Sequence, residues 1–417
     1  MLTWPQPHVP TLPGRGGPVR VRDSSTGELV VAAAGHDATL YVCGITPYDA
    51  THMGHAATYV AFDVLGRAWR DAGHTVRYAS NVTDVDDPLL ERATATGVDW
   101  RDLAADQTAL YAQDMTALGV IPPDTWSGVV ESIPAVVTAV EKLVASGAAY
   151  RVPTDGYADD AGDVYADLAA DPSFGAVAGL DRDTMLALSS ERGGDPERPG
   201  KRDPLDPLLW RRERTGEPAW DGGSLGRGRP GWHVECAVIA RDALGLPFDV
   251  EGGGSDLLFP HHEMSTSHAR LLDSGFGARV HLHAGMVGLE GEKMSKSQGN
   301  LVLVSVLRAQ GVDPMAVRLA ILAHRYSDDW DWTAAGLEAA VARLDRWRAA
   351  VSGNGGPDAT ELLAGVRAAL ADDLDTPSAL LLVDAWADLS LAGTAEPVEG
   401  APGIVARLLD ALLGIRI

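Results

Sequence analysis

Cysteine is almost missing: 417 residues hold two thiols, Cys43 and Cys236. So few exclude a disulfide-stapled secreted scaffold. Their plain reading is two buried, inert side chains, and a shared metal is the alternative that their neighbourhoods raise. Lysine is nearly as scarce. Only Lys142, Lys201, Lys293 and Lys296 occur, and 58 acidic residues against 34 basic ones leave a net charge of −24. A broad nucleic-acid footprint needs clustered Lys and Arg to release counterions, so this balance argues against one. No apolar run reaches the roughly 18 residues of a membrane span. The Pro/Gly-rich stretch 1–17 lacks the apolar centre of a secretory signal. Internal repeats and heptad arrays are absent as well. The expectation is a cytoplasmic enzyme, long enough for two or three domains around a full core.

Two of the four lysines share one pentapeptide, Lys293-Met294-Ser295-Lys296-Ser297. Lysines three apart on a mobile loop can neutralise a triphosphate as pyrophosphate leaves. Far upstream, His52-Met53-Gly54-His55 follows the apolar run Thr39-Leu40-Tyr41-Val42. Imidazoles flanking a glycine let the backbone approach a nucleotide phosphate closely. In this order the two segments point to a divided ATP-activating site.

Around them the pattern is α/β. A hairpin is expected near Val19–Arg22, a buried strand at Leu40–Cys43, a helix from about His55 through Val60, Val64 and Leu65, and a strand at Val76–Val82. That order opens a doubly wound, Rossmann-like nucleotide-binding domain. Val136, Val140, Leu143 and Val144 keep helical spacing, and a short strand follows at Ala149–Val152. Residues 153–230, rich in Gly, Pro, Asp and Arg, look like an insertion that crosses back to the main sheet. Phe248–Glu251 reads as a further strand, and helical periodicity dominates beyond residue 311. The expected division is an N-terminal arm (1–35), a first catalytic half (36–125), an inserted connective subdomain (126–230), a second catalytic half with the lysine loop (231–310) and a helical C-terminal region (311–417).

The thiols lie in suggestive places. Cys43 ends the first long strand, Cys236 lies in Gly231-Trp232-His233-Val234-Glu235-Cys236, and Pro260-His261-His262-Glu263 follows a glycine turn. Strand C-termini of a doubly wound sheet converge on one crevice, where two cysteines and one histidine would make a three-ligand zinc site with an open position. His261 and His262 each have an ordinary reading as a surface or helix-cap histidine. His233, three residues before Cys236, competes as a ligand.

CGITPYDATHMGHA, NVTDVDD, GRPGWHVEC, GGGSDLLFPHHE and GEKMSKSQGN together resemble the motifs of class I cysteinyl-tRNA synthetases, over about residues 39–300. The resemblance implies an α/β class I synthetase catalytic domain that forms cysteinyl-adenylate from cysteine and ATP. It implies one Zn²⁺ per chain on Cys43, Cys236 and His261, with Mg²⁺ arriving on ATP. The family places a glutamate ligand four residues beyond the first histidine, where this chain has Ser265. The tRNA enzymes also continue into an anticodon-binding region, whereas residues 357–417 hold three arginines against ten acidic residues. Glu191-Arg192-Gly193-Gly194-Asp195-Pro196 and the arm Trp4-Pro5-Gln6-Pro7 resemble instead the mycothiol-pathway cysteine ligases, paralogues that couple cysteine to glucosaminyl-inositol. Apart from that likeness, Glu191–Pro196 reads as a solvated charged turn.

By this resemblance His52 and His55 face the phosphates. Lys293 and Lys296 close over pyrophosphate, and Ser295 and Ser297 donate hydrogen bonds. Cys43, Gly44, Ile45, Thr46, Thr58, Asn81, Val82, Thr83, Trp232, Gly254, Ser255 and Asp256 line the adenylate pocket, and Val287 meets adenine through its backbone. Trp232 is either a wall of the amino-acid pocket or a core tryptophan. Asp84, Asp86 and Glu263 are candidates for the base of the second step. The implied substrates are L-cysteine, ATP and glucosaminyl-inositol, with no tRNA, no membrane and a monomer. A cysteinyl-tRNA synthetase with a reduced C-terminus, or a non-catalytic zinc-containing paralogue, would share most of these motifs.

Overall fold

The computed structural model describes residues 1, 3–48, 51–273, 277–294 and 300–417. A hairpin of β1 (Arg20–Arg22) and β2 (Leu29–Val31) precedes the catalytic sheet. The sheet begins with β3 (Asp37–Ile45), helix α1 (Met53–Ala72) and β4 (Thr75–Val82). Helices α2 (Asp87–Thr96) and α3 (Trp100–Ala117) lead to β5 (Thr125–Gly128) and α4 (Val129–Ser146).

Apolar periodicity predicts α1 from about His55, yet the helix starts at Met53. His52 sits in extended backbone at its N-cap and accepts the His55 N–H with its own ring, a cap that periodicity does not register. Gly73, left-handed at φ 96°, ends the helix. Nearly every residue between Met53 and Trp69 is buried, because the sheet covers one side of α1 and C-terminal helices cover the other.

The insertion is more ordered than its composition suggests. An antiparallel sheet runs β6 (Ala149–Val152), β7 (Asp163–Ala166), β8 (Leu208–Arg212) and β9 (Gly228–Pro230), with helix α5 (Arg182–Glu191) between β7 and β8. Its strands are short, and buried Asp163 organises them, pairing with Arg198 at 3.0 Å and Arg214 at 2.8 Å and accepting the Arg212 N–H. Those ion pairs are why the segment reads as loop by composition alone.

The chain returns to the catalytic sheet through α6 (Trp232–Leu244), β10 (Phe248–Gly254), α7 (Glu263–Leu272) and β11 (Ala278–Ala284). All five catalytic strands are parallel, in the order β11-β10-β3-β4-β5. Succession runs outward from β3 on one side and from β10 on the other, so the topological switch lies between them. Ligands bind outside the strand C-termini at such a point.

Strands β12 (Val287–Leu289) and β13 (Glu292–Lys293) pair with each other, and β12 also pairs with β14 (Trp330–Trp332). The helical C-terminal region comprises α8 (Val304–Ala309), α9 (Pro314–Leu322), α10 (Ala334–Ala350), α11 (Thr360–Ala371), α12 (Thr376–Ala392) and α13 (Ala401–Leu408). No helix among the described residues is long and apolar enough to cross a membrane.

Candidate active site and metal centre

At the switch point the β3 ladder shifts register between Val42 and Ile45. Gly44 lies in that shift, and a Cβ there would fall 1.5 Å from the Asn81 carbonyl oxygen. Only glycine permits this approach. Asn81 completes the joint: its Oδ1 accepts from Tyr41 and from Gly44 N–H, and its Nδ2 donates to Thr83. Asn81, Val82 and Ile45 are buried at this joint. Gly44 and Thr46 are half-buried at its mouth.

His52 and His55 stack with ring centroids 3.7 Å apart. Burial lowers the His52 pKa to about 4, and burial together with His52 pushes His55 well below the usual imidazole value. Both are neutral near pH 7, so they offer hydrogen bonds rather than charge to an anion. The His55 Nδ1 is buried without a hydrogen-bond partner among the described residues. Thr58, one turn on, spends its hydroxyl on the Gly54 carbonyl. Asp256 acts electrostatically on His52 from across the crevice, and Gly254 leaves room for its carboxylate. Half-buried Ser255 lies between them in sequence. Val287 is buried and pairs through β12 with Trp330. Lys293 ends β13; Ser295, Lys296 and Ser297 lie outside the described residues.

Beside this crevice Cys43, Cys236 and His261 come together, all buried, with their donor atoms within 4.8 Å of one another. The two sulfurs are 4.0 Å apart, and His261 Nε2 is 3.2 Å from Cys236 Sγ. The hydrogen bond from Cys43, with His261 beside it, draws the Cys236 pKa down to about 5, whereas burial pushes Cys43 well up. Two sulfurs and an imidazole suit a tetrahedral zinc with one position left open, although among the described residues Cys43 also stands in a second such group with Glu251 and His262. His233 holds the Nδ1 of His261 at 3.0 Å, so it orients that ligand instead of competing with it. Half-buried Trp232 packs against His261 with ring centroids 4.3 Å apart and planes tilted by 35°, and is not a core residue.

His262 faces the other sulfur. Its Nε2 lies 3.2 Å from Cys43 Sγ, and its Nδ1 meets His283, which in turn meets Ser24. Ser265 does not point to the sulfurs; it donates to Glu251, as does Thr266. Against the penalty of burial, His262 and a hydrogen bond from His281 hold the Glu251 carboxyl down at about 2. Sequence reasoning missed this support. Its one visible signal was the alternation His281-Leu282-His283 in a buried strand.

The three candidate bases separate. Glu263 accepts N–H bonds from Gly175, Val177 and Ala178 and is fully buried, so it is a structural anchor and not a free base. Asp84 accepts the Val130 N–H at the start of α4. Asp86 caps α2, and burial raises it to about 6 within the electrostatic reach of Arg229 and His261.

Residues 29–342 match the family described as tRNA synthetases class I (C) catalytic domain. The chain is 71% identical over its full length, and that of its relative, to the L-cysteine:1D-myo-inositol 2-amino-2-deoxy-alpha-D-glucopyranoside ligase of Sanguibacter keddieii. It is 58% identical, again over both full lengths, to the protein of the same name from Streptomyces coelicolor. Among solved structures, a Mycobacterium tuberculosis methionyl-tRNA synthetase bound by methionyl-adenylate superposes with a TM-score of 0.62 at 17% identity, covering 91% of this chain and 92% of that one. That likeness is one of fold.

Proposed function

The chain belongs to the class I (C) synthetase catalytic family, and from that premise we propose that it ligates L-cysteine to the amine of glucosaminyl-inositol. ATP is consumed through a cysteinyl-adenylate, and AMP and pyrophosphate are released, as in mycothiol biosynthesis. The observation that carries the acceptor is the end-to-end match to ligases bearing that substrate in their name.

In the first step the cysteine carboxylate attacks the α-phosphorus and pyrophosphate leaves. Positioning and charge stabilisation do most of this work. Neutral His52 and His55, at the N-terminus of α1, offer N–H donors where the helix dipole already favours anions. The positive charge comes from Lys293 and Lys296, with Ser295 and Ser297 as donors on the same loop. Asp256 takes a ribose hydroxyl. Zn²⁺ held by Cys43, Cys236 and His261 would supply a soft Lewis acid that prefers a thiolate to the hydroxyl of serine. In the second step the sugar amine attacks the adenylate carbonyl, the amide bond forms and AMP departs. The amine must shed a proton, and Asp86, raised to about 6, suits the acceptor of that proton.

The test is Cys236→Ser. Zinc content should fall to near zero, and cysteine-dependent ATP/pyrophosphate exchange should drop at least about 100-fold, beyond the 10–100-fold typical of outer-shell changes. Wild-type zinc content in the variant would remove Cys236 as a ligand.

A further inference from the structure

The Glu191–Pro196 segment has no part in the reaction as described. Glu191 ends α5, Arg192 caps it, and Gly193 turns left-handed at φ 87°. A Cβ on Gly194 would lie 2.7 Å from the Ser189 carbonyl oxygen, a backbone atom that cannot move aside, so that position too demands glycine. Asp195 accepts from Tyr165 and from Lys201 at 3.0 Å, fixing the segment to the insertion sheet. The turn is built to aim one side chain. Arg192 Nη1 reaches out of the insertion and donates to the carbonyls of Asp256, at 2.6 Å, and Phe259, at 2.5 Å.

Those two carbonyls flank a break in the chain between the ribose-facing Asp256 and the metal ligand His261. Phe259 has φ −139° and ψ 135° inside an otherwise helical run. The residue that would bond the Asp256 carbonyl in a helix is Pro260, which has no N–H. Asp256 is half-buried and Phe259 fully buried, so their carbonyls call for a donor from elsewhere, and an arginine fork can serve two. Just beyond the break, the Glu263 carboxylate takes the Gly175, Val177 and Ala178 amides. The insertion thus grips the segment on both sides of His261 with donors, the Arg192 guanidinium in front and three backbone amides behind.

We propose that Arg192 is a positioning residue: it replaces the donor that Pro260 lacks and thereby sets His261 toward the sulfurs and Asp256 toward the nucleotide. This role rests on the metal and adenylate assignments above, but it concerns the protein's own backbone and can be read without the acceptor. In the full-length enzyme, Arg192→Met keeps the length of the stem and removes the donors. The variant should fold, lose zinc to a chelator about 10–100-fold faster and raise the KM for ATP in pyrophosphate exchange. Amide hydrogen exchange across residues 255–263 should quicken in the metal-free protein as well. Arg192→Lys, with an ammonium able to reach at least one carbonyl, should recover part of each loss. Zinc retention and amide exchange at wild-type level in the methionine variant would overturn the proposal, as would no recovery with lysine. A wild-type protein that holds no zinc would sink the metal assignment instead, and amide exchange would still decide the role of Arg192.

Discussion

Gly44 is the tightest constraint at the scale of single residues. Its missing Cβ lets β3 and β4 close over Asn81 directly beside Cys43. Gly44→Ala cannot be absorbed by a flexible side chain, because the opposing atom is a backbone carbonyl. We expect a loss of about 1–3 kcal/mol, the usual cost of overpacking a core, with metal retention weakened as Cys43 shifts. Urea unfolding of the variant checks this, and an unchanged midpoint would contradict it. Cys43, Cys236 and a histidine beside them were legible in the sequence because thiols are rare here and each sits at a strand end, helix or glycine turn that the fold must bring to one crevice; only the family resemblance singled out His261. The choice among His233, His261 and His262 was not legible. It depends on ring orientations set by neighbours that spacing does not encode: His233 against His261, and His283 against His262. Glu263 reads as a candidate base in the sequence because nothing there reveals the three amides that occupy it.

At the scale of elements, the N-terminus of α1, helix α7 and strand β11 carry neutral histidines whose protonation opposes folding. Burial lowers His52 to about 4 and His268 and His283 to about 3, and His55 falls well below its usual value. The unfolded chain takes up these protons near pH 6.5, whereas the folded chain refuses them until lower pH. Their contribution is therefore complete above about pH 6.5 and is lost as pH falls toward 4. Asp86, raised to about 6 by burial, works the other way, as do Asp84, Asp114, Glu235 and Asp410, which burial also raises; each adds stability as pH falls through its folded value. Six buried histidines, His233 and His262 included, outnumber these five carboxyls, so the urea midpoint should drop between pH 7.5 and pH 5. A flat or rising midpoint over that window would refute the neutral-histidine account. Element legibility followed length. The long strands β3, β4 and β10 and helix α1 appear where apolar pattern predicts them, with ends displaced by caps. In residues 153–230, α5 and the strands β7 to β9 escaped the pattern, because strands of three to five residues held by Asp163 and its arginines have too few apolar positions to show a period.

The whole molecule explains why an acidic helical C-terminal region need not bind a nucleic acid. Its helices buttress the back of α1. Arg318 of α9 is fully buried, pairs with Asp63 of α1 and donates to the carbonyls of Leu118 and Leu413. Arg67 of α1 pairs with the same Asp63 and donates to the carbonyls of Gly119 and Asp410. The region is thus bound into the catalytic core, and three arginines against ten acidic residues over 357–417 disfavour counterion release. Its helical character was legible from periodicity; its service to α1 was not, since buried arginines look like surface charge in a sequence. The central claim is that a synthetase-type adenylating core here delivers cysteine to a small amino sugar. The direct measurement offers the purified enzyme cysteine and ATP with glucosaminyl-inositol and with tRNA in parallel. The account predicts cysteinyl amide on the sugar, formed one-for-one with AMP, and no charged tRNA; charged tRNA without sugar amide would contradict it.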